Sequence, residues 1–433
     1  MKKVEIIPRK LGGTITIPPS KSVSHRAVMC AALAEGESRI TNILLSDDIT
    51  ATCEAMAALG ASIDYNKQND GTYILIIRGT SEMNAKNITV DCIESGSTLR
   101  FIVPLMALHA DNACVTGRAR LVKRPMGPYY KIFDEQNINY TKEIEGQELP
   151  LHFSGELNSG TYCLDGSISS QFITGLLFAL PLLEGDSEIV ITTPLESKPY
   201  IDITLDVMKQ FGIAIKHDNY ERFWIKGGQK YKASDYRVEG DFSQGAFWLV
   251  GGILGKGILC EDLSPQSCQG DNAIVEIIRA MKGDVQQKEN AYYAKPSVTE
   301  GTVIDVSQCP DLVPILTVLA AASSGRTDII GAARLRFKES DRLAAMNDVL
   351  STMGARIEEH PDSLTIHGTG TLSGGTVSSH NDHRIAMAAA IASFICQEKV
   401  TITDSECVKK SYPDFWQDFK KMGGDILEFD MGK

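Results

Sequence analysis

Two kinds of apolar run alternate along the chain. An Ala/Leu-rich stretch with helical spacing leads through Gly into a short β-rich stretch. A second amphipathic run follows, closes on Gly or Asn, and gives way to another strand. Residues 25–65, "HRAVMCAALAEGESRITNILLSDDITATCEAMAALGASIDY", form one such passage, and residues 171–217, "QFITGLLFALPLLEGDSEIVITTPLESKPYIDITLDVMKQFGIAIKH", form another. The closing turns fall at Gly60, Asn137, Gly212, Gly283, Gly354 and Gly423, with spacings of 77, 75, 71, 71 and 69 residues. Gly and Asn suit that place because the residue after a helix often takes a positive φ. The period predicts six βαβαββ blocks, too long for a thin solenoid and too short for six independent domains, so the blocks share cores. Three blocks per lobe gives an α/β chain of two lobes. "RVEGDFSQ" (237–244) and the paired prolines Pro18 and Pro19 are the places to cross between them. Lobe one is expected over 19–238, and lobe two over 1–18 plus 239–433.

Composition narrows the function. The chain has 433 residues, 43 basic against 55 acidic side chains, and a net charge of −12. That excess of acid argues against a general nucleic-acid binder, which needs a basic face, yet leaves room for a local cationic pocket. Ten cysteines without a C-x-x-C pair read as reduced thiols of a cytosolic protein. The start, "MKKVEIIPRKLGG", lacks the apolar core of a signal peptide, and no apolar run reaches the ~18 to 20 residues of a membrane span. A cytoplasmic protein with no membrane partner is expected.

Against that acidic background, "PPSKSVSHR" (18–26) gathers Lys21, His25, Arg26 and three serines at the start of a helix. Cations oppose the helix dipole there by ~0.3 to 1 kcal/mol each unless a ligand brings negative charge. An anion site is therefore favoured over a solvated turn. "ESGSTLRF" with Arg100, "RARLVKRPMG" with Arg118, Arg120, Lys123 and Arg124, and "SISSQF" with Ser169, Ser170 and Gln171 repeat the device. So do "LESKPYID" with Ser197, Lys198 and Tyr200, "RLRFKESDR" with Arg334, Arg336, Lys338 and Arg342, "HNDHR" with His383 and Arg384, and "VKKSYPDFW" with Lys409 and Lys410. Singly, each reads as a charged turn. Recurring at equivalent ends of repeated blocks, they imply ligands carrying several negative charges held between the lobes.

Two carboxylates break the pattern. Asp311, in "SQCPDLVPILTVLAAA", reads by itself as a helix cap, and Glu339 as an ion-pair partner of Arg342. An anion site gains nothing from carboxylates, whereas an enzyme that moves protons does. The remaining motifs are weaker. "GGILGKG" lacks the first Gly and the Ser/Thr of a P-loop, and His380 with His383 lacks a third metal ligand. No metal site is expected.

Assembled in order, "PPSKSVSHR", "ESGSTLR", "KRPMG", "SSQF", "SKPYIDIT", "VEGD", "PDLVP", "FKESDRL", "NDHR" and "KKSYPDF" resemble the 5-enolpyruvylshikimate-3-phosphate synthase family over essentially the whole chain. The resemblance implies the two-lobed enolpyruvyl transferase fold, with three βαβαββ units per lobe closing over the ligands. It implies transfer of the enolpyruvyl group of phosphoenolpyruvate to the 5-hydroxyl of shikimate 3-phosphate, with release of phosphate and no metal or organic cofactor. By motif, Lys21, Ser22, Arg26, Ser169, Ser170, Ser197, Asp311 and Lys338 correspond to shikimate 3-phosphate contacts. Lys21, Gly96, Arg124, Gln171, Arg342, Arg384 and Lys410 correspond to phosphoenolpyruvate contacts. Asp311 is the implied acceptor of the hydroxyl proton; Glu339, with Lys21, is the implied acid at the methylene carbon.

Glu94, Ser97 and Arg334 depart from residues common in the family, while Gly96 keeps open the site that glyphosate occupies there. The rival enolpyruvyl transferase, acting on UDP-N-acetylglucosamine, carries a reactive cysteine ahead of an Arg-Pro, and "TGRARLVKRPMG" has none. A non-catalytic anion-binding repeat protein is the other alternative, and Asp311 with Glu339 argues against it. A monomer is expected.

Overall fold

Among the described residues the short β-rich stretches pair into six four-stranded sheets of one pattern. In the computed structural model, which describes residues 2–80 and 83–430, Thr89–Asp91 runs parallel to Ala110–Thr116. Ala110–Thr116 pairs antiparallel with Leu151–Gly155, which pairs antiparallel with Asn139–Lys142. Helices Gly96–Met106 and Gly127–Gln136 fill the two crossovers, as a parallel step requires. The order is therefore βαβαββ. It recurs in the block that opens on Thr161–Leu164 and in the block that opens on Val303–Asp305.

Two blocks exchange their first strands. Gly13–Thr16, which precedes the helix Lys21–Leu33, pairs parallel with Ile258–Glu261. Tyr236–Arg237, which precedes the helix Phe242–Leu254, pairs parallel with Gly36–Ile43. The sixth sheet has Lys2–Ile7 in its interior, antiparallel to both Val400–Thr403 and Asp425–Asp430. Contacts divide the chain into two units: Lys21–Val238 is one, and the chain before Lys21 with the chain after Val238 is the other.

Within the second of these, helices Phe242–Leu254, Val313–Ala322 and His383–Ala392 pack on one another and are buried almost throughout. Their all-round apolar composition is what a helix at the centre of a core needs. Lys21–Leu33, Gly96–Met106 and Ser170–Ala179 are the equally buried helices of the Lys21–Val238 unit. The "GGILGKG" stretch ends a buried helix and forms no phosphate loop. Of the six closing turns, five carry positive φ at the expected residue, such as Asn137 at 57° and Gly212 at 83°. At the fourth the left-handed residue is Lys282, one place before Gly283. All ten cysteines are unpaired. Among the described residues, no helix is long and apolar enough to cross a membrane.

Candidate active site

In the Lys21–Val238 unit the polar motifs sit at the N-terminal ends of buried helices. The prolines at 18 and 19 delay helix formation until Lys21. Lys21 Nζ meets Asp48 Oδ2 at 2.7 Å. Asp48 lies in the first turn of helix Asp47–Ala58, where the dipole favours acid. Arg26, one turn beyond Ser22, is fully buried: Nη1 donates to Ser22 O at 2.7 Å, Nη2 to Tyr200 O at 2.9 Å and Nε to Thr204 Oγ1 at 2.8 Å. Burial lowers its pKa to about 10. Two of its five N–H groups thus tie helix Lys21–Leu33 to helix Lys198–Gln210 and a third closes on its own helix, leaving two for a ligand.

A second cluster surrounds Gly96. Ser95 caps the helix by accepting from Thr98 N. Arg100 Nη1 donates to Gln171 Oε1 at 3.1 Å and Nη2 to Pro125 O at 3.1 Å, with the guanidinium 5.1 Å from the centre of the Phe172 ring. Gln171 Nε2 donates in turn to Ser97 Oγ at 3.0 Å. Arg124 has no hydrogen-bond or ion-pair partner for its side chain among the described residues, although it is only 8% exposed. A buried guanidinium without a carboxylate is costly unless an anion meets it. Ser169 caps the next helix by accepting from Gln171 N. Ser197 stands before helix Lys198–Gln210 with φ of 56°. That left-handed backbone is uncommon for serine and costs of order 1 kcal/mol, as is typical of functional positions.

The other unit builds its cluster on Arg342. Asp341 caps the helix Arg342–Thr352, which turns the Arg342 side chain into the interior at 1% exposure. Nη1 meets Asp311 Oδ1 at 2.7 Å, Nη2 meets Glu339 Oε2 at 2.8 Å and Nε meets Asp382 Oδ2 at 2.8 Å. Burial would lower the arginine's pKa, but Asp382, Glu339 and Asp311 together raise it. Asp311 is no helix cap. It sits in the turn Pro310–Leu312, and its carboxylate also meets Lys338 Nζ at 3.4 Å and Arg384 Nη2 at 3.3 Å. Burial lowers the pKa of Lys338, opposed by Asp311 and Glu339. Lys410 Nζ donates to Asn381 O at 2.8 Å, beside the cap residue Asp382 of the helix that carries Arg384.

The structure thus brings together Asp311, Lys338, Glu339, Arg342 and Arg384, and separately Gly96, Arg124 and Gln171, with Lys21 paired to Asp48. Sequence reasoning missed Asp48, Asp382 and Asp271. Each lies where an acid is ordinary at a helix start, so nothing in the local pattern marks it. Asp271 is buried, accepts from Ser243 Oγ, and has its pKa pushed up to about 7 by burial and then by Asp311. Of the departures, Ser97 holds Gln171 and Arg334 Nη2 donates to Ser307 O at 2.9 Å. His380 pairs with Asp348 at 2.9 Å, and no three metal-ligating side chains gather among the described residues.

Residues 6–419 match the family model of EPSP synthase (3-phosphoshikimate 1-carboxyvinyltransferase). The chain belongs to the EPSP synthase family. It is 53% identical over 433 residues to the 3-phosphoshikimate 1-carboxyvinyltransferase of Clostridium kluyveri, covering all of both chains. It is 50% identical over 438 residues to that of Clostridium novyi, again over the full length of both. The structure of EPSP synthase from Acinetobacter baumannii superposes with a TM-score of 0.82 at 27% identity, covering 99% of this chain and 100% of that one. The fold is the α/β fold of that family, six βαβαββ blocks with three in each unit.

Proposed function

We propose that this chain transfers the enolpyruvyl group of phosphoenolpyruvate to the 5-hydroxyl of shikimate 3-phosphate and releases phosphate. The relatives that match over their whole length carry that activity in their names. The observation that carries the chemistry is Arg342 holding Asp311 on Nη1 and Glu339 on Nη2. Two carboxylates are thereby fixed at separate points of one cationic cluster.

In the addition step, the hydroxyl oxygen bonds to C2 of phosphoenolpyruvate. Its proton passes to Asp311, and Glu339 with Lys21 delivers a proton to the methylene carbon. In the elimination step, that methyl group gives a proton back as the C2–O bond to phosphate breaks. No oxidation state changes, so the work is proton transfer and anion stabilisation. Lys21, Ser22, Arg26, Ser169, Ser170, Ser197, Asp311 and Lys338 hold shikimate 3-phosphate. Lys21, Gly96, Arg124, Gln171, Arg342, Arg384 and Lys410 hold phosphoenolpyruvate. Holding two repelling anions in contact makes the reaction effectively unimolecular. The enzyme acts in the cytoplasm as a monomer, which gel filtration tests.

Phosphate release from phosphoenolpyruvate, with shikimate 3-phosphate or UDP-N-acetylglucosamine as acceptor, decides the reading. Turnover with shikimate 3-phosphate alone is expected. Turnover with the nucleotide sugar overturns the acceptor, and binding without turnover overturns the chemistry.

A further inference from the structure

A buried line of side chains runs through three helices beside Lys21 and Gly96. His25, one turn after Lys21, has Nδ1 2.7 Å from Thr52 Oγ1. Thr52 Oγ1 is 2.7 Å from Thr98 Oγ1, and Thr98 Oγ1 donates to Ser95 Oγ at 2.7 Å. None of the four side chains belongs to a residue more than 1% exposed.

A hydroxyl has one proton to give, so the direction of one bond fixes the others. Thr98 gives its proton to Ser95, so Thr52 gives to Thr98, and the Thr52 oxygen accepts from His25. The imidazole proton therefore sits on Nδ1. Nε2 leads to the same tautomer: it is buried with no partner among the described residues, so a proton there has no acceptor. The carbonyl of Asp48 lies 3.4 and 3.5 Å from the two threonine hydroxyls, a longer alternative, while its carboxylate holds Lys21.

We infer that His25 is a positioning residue for phosphoenolpyruvate: through Thr52 and Thr98 it fixes the Ser95 cap, and with it the Gly96 turn, in register with Lys21. This rests on the enolpyruvyl-transfer reading, in which Lys21 and Gly96 serve the same substrate. The relay needs the proton on Nδ1, and the buried ring carries it as a neutral imidazole. Burial, and then Lys21 and Arg26 on the same helix, hold the imidazole pKa well below its usual 6.5. Asp48, the acid on the adjoining helix, is engaged by Lys21.

Steady-state kinetics of Thr52→Val, which keeps the shape and removes the hydroxyl, tests the relay. The KM for phosphoenolpyruvate is expected to rise about tenfold, equivalent to about 1.4 kcal/mol. The KM for shikimate 3-phosphate should move less than about twofold, and Thr52→Ser should restore both. Unchanged constants, or an equal rise in both that Thr52→Ser does not reverse, overturn the inference. The tautomer is tested independently in the wild-type protein by 15N spectra of labelled histidine, with the His25 signals assigned by their loss in His25→Gln. A neutral Nδ1–H ring is expected at neutral pH, and an Nε2–H ring overturns it. Should the wild type fail to release phosphate, the enolpyruvyl-transfer reading falls, while the spectra still decide the direction of the chain.

Discussion

A methyl group placed on Gly96 would lie 2.6 Å from Cζ of Arg124 and 2.9 Å from Nη1 of Arg100. The obstructing atoms are the far ends of flexible side chains, so the helix start survives and the guanidinium yields. Gly96→Ala is therefore expected to fold with a melting temperature within a few degrees of wild type. It should raise the KM for phosphoenolpyruvate by about tenfold or more, because Arg124 is displaced from the anion it would meet. Glyphosate should lose potency along with it. Substrate and inhibitor titrations of both proteins check this; an unaltered KM would show that Arg124 does not hold the substrate.

Asp311 and Glu339 should be separable by their kinetics. Asp311→Asn removes the proton acceptor and is expected to lower kcat by about 10² to 10⁴. Glu339→Gln, which keeps a hydrogen-bond acceptor for Arg342 Nη2, should lower kcat in the same range. Both should still bind substrates, which titration calorimetry reads alongside turnover. A fully active variant at either position would remove that residue from the proposed chemistry.

Arg342 is also structural. Lysine places one nitrogen where arginine serves Asp311, Glu339 and Asp382 with three. Arg342→Lys should therefore cost about 3 to 5 kcal/mol, the scale of breaking a buried ion pair. Asp382→Asn, which leaves Arg342 two carboxylates, should cost less. Urea denaturation of the two variants decides the ranking.

Asp271 gives a pH signature. In the folded protein its carboxyl keeps a proton up to about pH 7, because burial and then Asp311 oppose its charge; in the unfolded chain it loses that proton near pH 4. The folded state therefore holds the extra proton between those values, and stability falls as pH rises through that window. Asp271→Asn removes the slope. The variant should gain on the wild type between pH 5 and pH 8, by about 2 to 3 kcal/mol. Melting curves of both proteins at the two pH values test the sign, and a variant that loses ground as pH rises contradicts it.

The six-block fold was legible because its period is written in local chemistry. A turn residue that must leave the helix at positive φ recurs at Gly60, Asn137 and Gly212 whatever the tertiary partners are. Even the miss at Gly283 was by one residue, since Lys282 takes the left-handed conformation instead. The exchanged strands were not legible in this way, because Gly13–Thr16 and Tyr236–Arg237 find their partners more than 190 residues away. Cations stood out in the sequence because lysine and arginine at helix starts oppose the dipole. Acids at the same places do not, so Asp48 and Asp382 passed as ordinary helix-starting residues until the structure set them against Lys21 and Arg342. The His25 relay was hidden for another reason: Thr52 and Thr98 meet only once three helices are packed.

The interior place of Lys2–Ile7 has a consequence for how the protein is made. Glu5 accepts from Lys399, 394 residues later, and the strand's other neighbour ends at Asp430. On the ribosome, every strand of the Lys21–Val238 sheets is available once Val238 has emerged. The earliest strand, by contrast, stays exposed until nearly all the chain has been synthesised. The order of translation is thus not the order of completion, and the apolar residues Val4 and Ile6 need shielding through most of elongation.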